Sequence, residues 1–435
     1  MPTCNCAVAR VIHPLLYSTA VITNTKPSEE AKTMETTKIP MDGRSQTGVR
    51  VAVLTHVLMQ HRLSLLEEVA SHIAQFRVFI SSNYDEAHHF PVSRGTLNVT
   101  VQKSLNWTHR FYNRNGYADV SYINVPYDTF FQLLCYRPEL IISTECGVRS
   151  VLSILYRCLH PSTSVILWAQ VSEHTETARG WLRRSIRWWM FRNVDAVYVN
   201  GKSGEAYIRS LGFTGGVYTV PYTIDEGLFQ TSAYAPDTRV RRLLYTGQLI
   251  ERKGLRGFCK VLSRWCADHS ETRVVFRIVG DGPERAALES IQLPRNLVLE
   301  MLPAMPQNKL AEQYRQADIY AFPTLGDEWG VVVNEAMIAG LPVLGSDLGQ
   351  AASELIKPGV SGWLFSPGDE QSLHDALGQA LTADSETLHA MSQNARQSVA
   401  DIAPRIVAEN MVRAIEYTCQ VPKRPQGSAL ASTAE

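Results

Sequence analysis

The stretch Ala321-Phe-Pro-Thr-Leu-Gly-Asp-Glu-Trp-Gly-Val-Val-Val-Asn-Glu-Ala-Met-Ile-Ala-Gly340 decides how the chain is read. It opens as a short apolar strand, turns through a loop, and continues as a helix expected to begin near Gly330. That helix ends at Gly340, with Pro342 just beyond as a stop signal. Asp327 lies in the loop and Glu335 inside the helix, with seven residues between them. The first amides of a helix have no intrahelical partner, so Gly330, Val331 and Val332 are expected to form an anion site. Two carboxylates beside such a site can hold hydroxyl groups on either side of the anion. The plainer reading of Glu335 alone is a solvated or capping acid.

Working outward, short β-branched runs alternate with helical patterns. In the first half the expected strands are 50–55, 76–80, 97–102, 140–143, 164–168, 196–199 and 217–220. They are nearly continuous apolar runs, as in a parallel sheet buried on both faces. Residues 64–74 and 204–211 read as helices between them, which is βαβ logic. The pattern breaks between Pro221 and Pro236 and restarts at 242–246, continuing through 273–279, 297–300, 318–322, 341–344 and 363–365. The expected organisation is a first α/β domain over 48–230, a linker over 231–240 and a second α/β domain over 241–400. A final helix follows at 401–420, expected to return to the first domain. Residues 1–47 and 421–435 read as tails.

Two further segments follow strands of the second half. Gly247-Gln-Leu-Ile-Glu-Arg-Lys-Gly254 places a glycine at a strand end and two cations, Arg252 and Lys253, before a helix over 255–268. Amides and cations converging there suit a diphosphate; the plain alternative is a turn with solvated basic residues. Ile278-Val-Gly-Asp-Gly-Pro283 is a second strand-end turn, whose Gly282 either lets the backbone approach a ligand or simply makes a tight turn.

Composition narrows the class. Lys plus Arg and Asp plus Glu each number 42, so bulk charge gives no support for a nucleic-acid carrier. The eight cysteines form no C-x-x-C pair and no zinc spacing. Scattered thiols fit a reducing compartment, so a cytoplasmic protein is expected. Residues 11–22 are interrupted by His13, Pro14 and Tyr17, a poor signal peptide and no membrane span. Met34 and Met41 are alternative starts ahead of the first strand. Neither half carries G-x-G-x-x-G, which argues against a dinucleotide oxidoreductase.

The three segments, in this order, resemble family 4 of the retaining glycosyltransferases, the glycosyl transferases group 1, which have the GT-B fold of two Rossmann-like α/β domains facing across a cleft. That family carries a G-R-L…K-G loop, a G-x-G-P turn and an E-x7-E motif. Here Gly247-Gln-Leu with Lys253-Gly254, Gly280-Asp-Gly-Pro283 and Asp327-x7-Glu335 stand in those places. Ala336-Met337, Gly340, Pro342, Glu354, Gly359, Gly362 and Pro367-Gly-Asp369 extend the match. The resemblance implies a hexosyl-type transferase moving a sugar from a nucleoside diphosphate donor to a hydroxyl acceptor, a glycan or lipid-linked saccharide, with retained configuration. Neither metal nor cofactor is implied, the nucleotide sugar being a co-substrate. It implies that Lys253 and Arg252 neutralise the departing diphosphate, that Glu335 binds the ribose and that Asp327 contacts the transferred sugar. Two departures stand out. Gln248 replaces the usual Arg, with Arg252 as the compensating charge, and Asp327 replaces Glu, one methylene shorter.

In the first half, Glu173-His174 follows a strand where the family often places a His lining the sugar pocket, so His174 is a catalytic candidate beside Lys253 and Asp327. Gln60, His61 and Arg62 either face the cleft or merely start a helix. Val199-Asn-Gly-Lys-Ser203 lacks the first glycine of a P-loop and reads as a strand–helix turn. Residues 180–192 are an aromatic, Arg-rich helical stretch with two readings, a peripheral contact with an anionic membrane or a core helix with snorkelling arginines. The rival functions are a non-catalytic nucleotide-sugar-binding homologue and an epimerase or phosphorylase on the same scaffold.

Overall fold

The structure, a computed structural model, describes residues 47–85, 90–91, 93–112, 118–176, 181–229 and 240–420. The expected linker lies almost wholly outside these, as do the tails before 47 and after 420.

Two parallel sheets form the body. The first contains β1 (Thr47–Thr55), β2 (Ile73–Ile80), β3 (Val99–Val101), β6 (Leu140–Thr144), β7 (Ser164–Ala169), β8 (Ala196–Val199) and β9 (Gly216–Thr219), in the order β9-β8-β7-β6-β1-β2-β3. Between β3 and β6 an antiparallel hairpin, β4 (Ser104–Tyr112) with β5 (Ala118–Pro126), stands apart from this sheet. The second sheet contains β10 (Val240–Thr246), β11 (Arg273–Val279), β12 (Leu297–Leu302), β13 (Ile319–Phe322), β14 (Val343–Ser346) and β15 (Gly362–Phe365), in the order β12-β11-β10-β13-β14-β15. Strands such as Leu140–Thr144, Ala196–Val199 and Ile319–Phe322 are buried at every residue, which is why they read as unbroken apolar runs.

Helices cover both faces. In the first domain α2 (Thr129–Tyr136), α3 (Val148–Leu159), α4 (Trp181–Arg192) and α5 (Lys202–Ser210) contribute to a core holding Leu133, Ile154, Met190 and Ile208. On the opposite face α1 (Gln60–Ser71) packs with the last helix, α11 (Pro404–Gln420), in a core that joins Leu66 and Val69 to Met411 and Ile415. The Tyr198 hydroxyl donates to the Met411 carbonyl at 3.1 Å. In the second domain α6 (Leu255–Asp268), α7 (Gln307–Arg315), α8 (Val331–Ala339), α9 (Glu370–Thr382) and α10 (Ser385–Val399) flank the sheet.

The structure shifts some expected bounds. Ile224 and Phe229 lie ahead of the boundary expected at 230, yet they are buried with Tyr314 and Met337 in a second-domain core. Helices α9 and α10, which no expected element covers, are capped by Asp369 and Asp384. The Asp369 carboxylate accepts from the amides of Gln371 and Ser372, and Asp384 from that of Thr387.

Candidate functional site

Strand order reverses at β1/β6 in the first sheet and at β10/β13 in the second. In open α/β sheets the crevice beyond the carboxyl ends at such a reversal is where ligands bind. In the second domain this brings the Gly247–Gly254 loop after β10 beside the 323–330 segment after β13. The Leu325 amide donates to the Arg252 carbonyl at 2.8 Å, and the Thr324 hydroxyl donates to the same oxygen at 3.3 Å. Gly254 closes the contact. Its φ is 70°, and a Cβ there would lie 2.1 Å from the Pro323 carbonyl oxygen.

This seam sets three sequence-predicted residues together. The Arg252 guanidinium donates to Asp327 Oδ1 at 2.5 Å and to the Gly326 carbonyl at 2.9 Å. Lys253 Nζ lies 2.7 Å from Asp327 Oδ2 and 3.0 Å from Oδ1. Burial alone would raise the pKa of Asp327. The Lys253 and Arg252 charges and hydrogen bonds outweigh it and hold the carboxyl well below the usual carboxylate range. The cations expected to meet a diphosphate are therefore prepositioned on an anion of the protein itself, leaving the three-residue cluster with one net positive charge.

Helix α8 starts at Val331, so the amides of Gly330, Val331 and Val332 lie at its open end, three residues after Asp327. Glu335, one turn further in, is buried. The Tyr314 hydroxyl donates to its Oε2 at 2.7 Å and Gln307 Nε2 to its Oε1 at 3.3 Å. Burial, reinforced by the Glu335 charge, pushes the Tyr314 hydroxyl well above its ordinary pKa, so it stays a donor. With the Tyr314 proton directed at Glu335, the Thr246 hydroxyl, 2.8 Å from the Tyr314 oxygen, is the group that donates to that oxygen, and it lies 3.0 Å from the Tyr320 hydroxyl. A chain Tyr320–Thr246–Tyr314–Glu335 thus links the end of β10 to the carboxylate in α8. Sequence spacing gave no sign of Gln307, Tyr314, Thr246 or Tyr320 as site residues, because α7, β10 and β13 meet only in the fold.

Gly247 and Gly282 pack on each other's loops. The Gly247 amide donates to Val279, that of Leu249 to Asp281 and that of Glu284 to Leu249. A Cβ on Gly282, whose φ is 155°, would lie 2.4 Å from the Leu249 carbonyl oxygen. Close approach of two chain segments already explains this glycine without a ligand.

From the first domain, Arg62 is buried with its guanidinium 5.1 Å from the Trp168 ring and 5.7 Å from that of Tyr222. The His61 ring lies 4.6 Å from Tyr222, whose carbonyl accepts from Asn334 Nδ2 at 2.6 Å. Asn334 Oδ1 accepts from Trp329 Nε1 at 3.0 Å, and Asn200 reaches the Glu328 carbonyl at 3.4 Å. Gln60 starts α1, so this segment both begins the helix and joins the junction between the domains. The hairpin strand β5 runs alongside Glu251–Lys253. His174 lies in a one-turn helix, Glu173–Glu176, and its side chain is outside the described residues.

Comparison with known proteins bears on this arrangement. Residues 230–398 match the protein family described as Glycosyl transferases group 1. A putative colanic acid biosynthesis glycosyltransferase, WcaL of Salmonella typhimurium, is 31% identical over 168 residues, 36% of this chain and 40% of that protein. The 2-deoxystreptamine N-acetyl-D-glucosaminyltransferase of Streptomyces fradiae is 29% identical over 217 residues, 49% of this chain and 44% of that protein. In both cases less than half of the relative is covered. Among solved structures, Anabaena Alr3699/HepE in complex with UDP and glucose superposes with a TM-score of 0.62 at 14% identity, over 85% of this chain and 100% of that one. The lipopolysaccharide outer core galactosyltransferase WaaB, in its apo form, gives 0.63 at 13% identity over 85% of this chain and 99% of that one. The fold is GT-B.

Proposed function

We propose that the protein is a glycosyltransferase that moves a sugar from a nucleoside diphosphate sugar to a hydroxyl of a glycan or lipid-linked acceptor. The observation that carries this reading is the Arg252–Lys253–Asp327 cluster beside the open amides of α8, at the strand-order reversal. The names of the relatives matched by the second domain support glycosyl transfer, and the solved complex with UDP supports a nucleotide donor. In the reaction the anomeric carbon exchanges its bond to the diphosphate oxygen for one to the acceptor oxygen, and the acceptor proton leaves with the diphosphate or to solvent. Charge develops on the departing diphosphate, where Lys253, Arg252 and the amides of Gly330, Val331 and Val332 would receive it. We assign the ribose to Glu335 and the transferred sugar to Asp327 and His174.

The diphosphate is a good leaving group once neutralised, and the side-chain cations take the place of a metal ion. We therefore propose metal-independent transfer; retained configuration at the anomeric carbon is what the resemblance to family 4 implies. Gln248 and the pairing of Asp327 favour one second reading, a homologue that binds nucleotide sugar without turning it over. A thermal-shift panel of nucleoside diphosphates and their sugars tests donor binding, since a ligand of the native state raises apparent stability. Donor hydrolysis without acceptor then separates the readings. Stabilisation by a nucleotide sugar together with its slow hydrolysis is expected; stabilisation with no hydrolysis under any acceptor selects the binding homologue, and no stabilisation by any nucleotide overturns both.

A further inference from the structure

We infer that the outer side of α4, with the adjoining surfaces of α3 and α2, docks on an anionic phospholipid bilayer. Among the described residues no helix is long and apolar enough to cross a membrane, so the contact is made at the surface.

A helix on a globular domain ordinarily buries one apolar stripe and turns a polar face to water. Helix α4 departs from this. It buries only Arg187, Met190 and Phe191, while Trp181–Ile186 is exposed at every residue. Trp181 is 79% exposed and Leu182 59%, with Ile186, Trp188 and Trp189 also exposed. Of the eight tryptophans in the sequence, Trp168, Trp265, Trp329 and Trp363 are buried, and three of the other four lie on this helix. Leaving that much aromatic surface in water loses the stabilisation that burial would bring, so its retention points to a partner.

The charges decide which partner. The helix carries Arg183, Arg184, Arg187 and Arg192 and no acid. Arg187 is buried and ion-paired with Glu176, Arg183 lies 3.6 Å from the same carboxylate with its side chain still exposed, and Arg184 and Arg192 are exposed as well. Arg192 lies 4.2 Å from the Trp188 ring, an amphipathic tip of the kind that sits at headgroup depth. Helix α3 touches both α4 and α2. It adds the exposed Leu155 and Leu159, and α2 adds Phe131 without any charged residue of its own. A two-fold contact between copies would pair this basic patch with itself, offering its arginines no opposite charge from the helix. An anionic bilayer pairs them with lipid headgroups and takes the tryptophans into the interface.

The bilayer contact stands without the transferase reading; its use, to meet a lipid-linked acceptor, rests on that reading. The test is flotation of the full chain with phosphatidylcholine vesicles, with and without phosphatidylglycerol, in low and high salt. Thermal shift with UDP is run on the same samples. Partition onto the phosphatidylglycerol vesicles at least ~10-fold above the neutral ones is expected, weakening with salt. Each exposed arginine contributes about fivefold. The variant Trp181→Ala/Arg184→Ala, at two exposed positions away from the donor site, should lose at least ~10-fold in partition with its UDP response intact. The inference is overturned if the wild-type protein stays off anionic vesicles, if the variant floats as well as wild type, or if sedimentation shows a dimer that Trp181→Ala dissociates. Flotation without any nucleotide response would overturn the donor site and leave the membrane surface standing.

Discussion

Asp327→Asn changes one charge at nearly constant shape, and the structure gives it opposite effects on the free and liganded protein. In the free protein the carboxylate is the shared partner of Arg252 and Lys253, whose side chains are 21% and 16% exposed. Removing one member of a fully buried pair costs about 3–5 kcal/mol. Partial exposure reduces this to about 1–3 kcal/mol. A diphosphate oxygen that accepts from the same cations would lie on the order of 5 Å from the carboxylate. At an effective dielectric near 20 the repulsion is about 3 kcal/mol per unit charge, and screening lowers it to about 1–2 kcal/mol. The variant should therefore unfold more easily yet bind a nucleoside diphosphate about 5- to 30-fold more tightly, measured by denaturant titration and calorimetry at neutral pH. Sugar transfer should fall, because the proposed sugar contact goes with the charge. The acid limb gives a second check. A carboxyl whose folded pKa is depressed contributes stability that is present above its unfolded value, near 4, and lost as pH falls toward the folded one. The variant's stability should accordingly fall less steeply below about pH 4. Weaker diphosphate binding in the variant would refute the assignment of Arg252 and Lys253 to the leaving group.

Lys253→Ala and Glu335→Gln should each lower transfer at least ~10²-fold in a steady-state assay with the donor identified by thermal shift, the size typical of losing one preorganised electrostatic partner. Tyr314→Phe keeps the ring stacked 5.6 Å from Tyr320 but removes the donor to Glu335. Nucleotide affinity should drop about tenfold, matching a charge-assisted hydrogen bond of about 1.5 kcal/mol, and discrimination between ribo- and deoxyribonucleotides should shrink with it. Gly254→Ala forces a Cβ to within 2.1 Å of the Pro323 oxygen at a φ of 70°. It should destabilise the second domain by on the order of 3 kcal/mol and weaken nucleotide binding, both readable in one melt with and without UDP.

Legibility in the sequence followed the range of the interactions. Parallel strands buried on both faces announce themselves residue by residue, so β6, β8 and β13 stand close to where the apolar runs put them. Helix α6 spans Leu255–Asp268 as read, because its start is fixed locally by the Arg252–Gly254 turn. The caps Asp369 and Asp384 are equally local signals for α9 and α10, carried by single residues rather than by an apolar run. The hairpin β4–β5 is harder. Leu105, Trp107 and Ile123 leave apolar side chains exposed on it, so its pattern does not separate an inner from an outer face. The site divides in the same way. Its amide end, its two cations and its two carboxylates lie on contiguous segments and were nameable from spacing. The pairing of Asp327 with both cations was not, because it depends on the loop after β13 crossing the loop after β10, held by the Leu325–Arg252 hydrogen bond. Nor was the support of Glu335 by Tyr314, which α7 supplies from outside every motif. Spacing thus brought forward the groups proposed to meet a diphosphate sugar, while the fold determined which of them hold one another. The shorter side chain at 327 is the residue on which the two descriptions differ: a departure from the motif in sequence, and in the structure the anion that positions both cations.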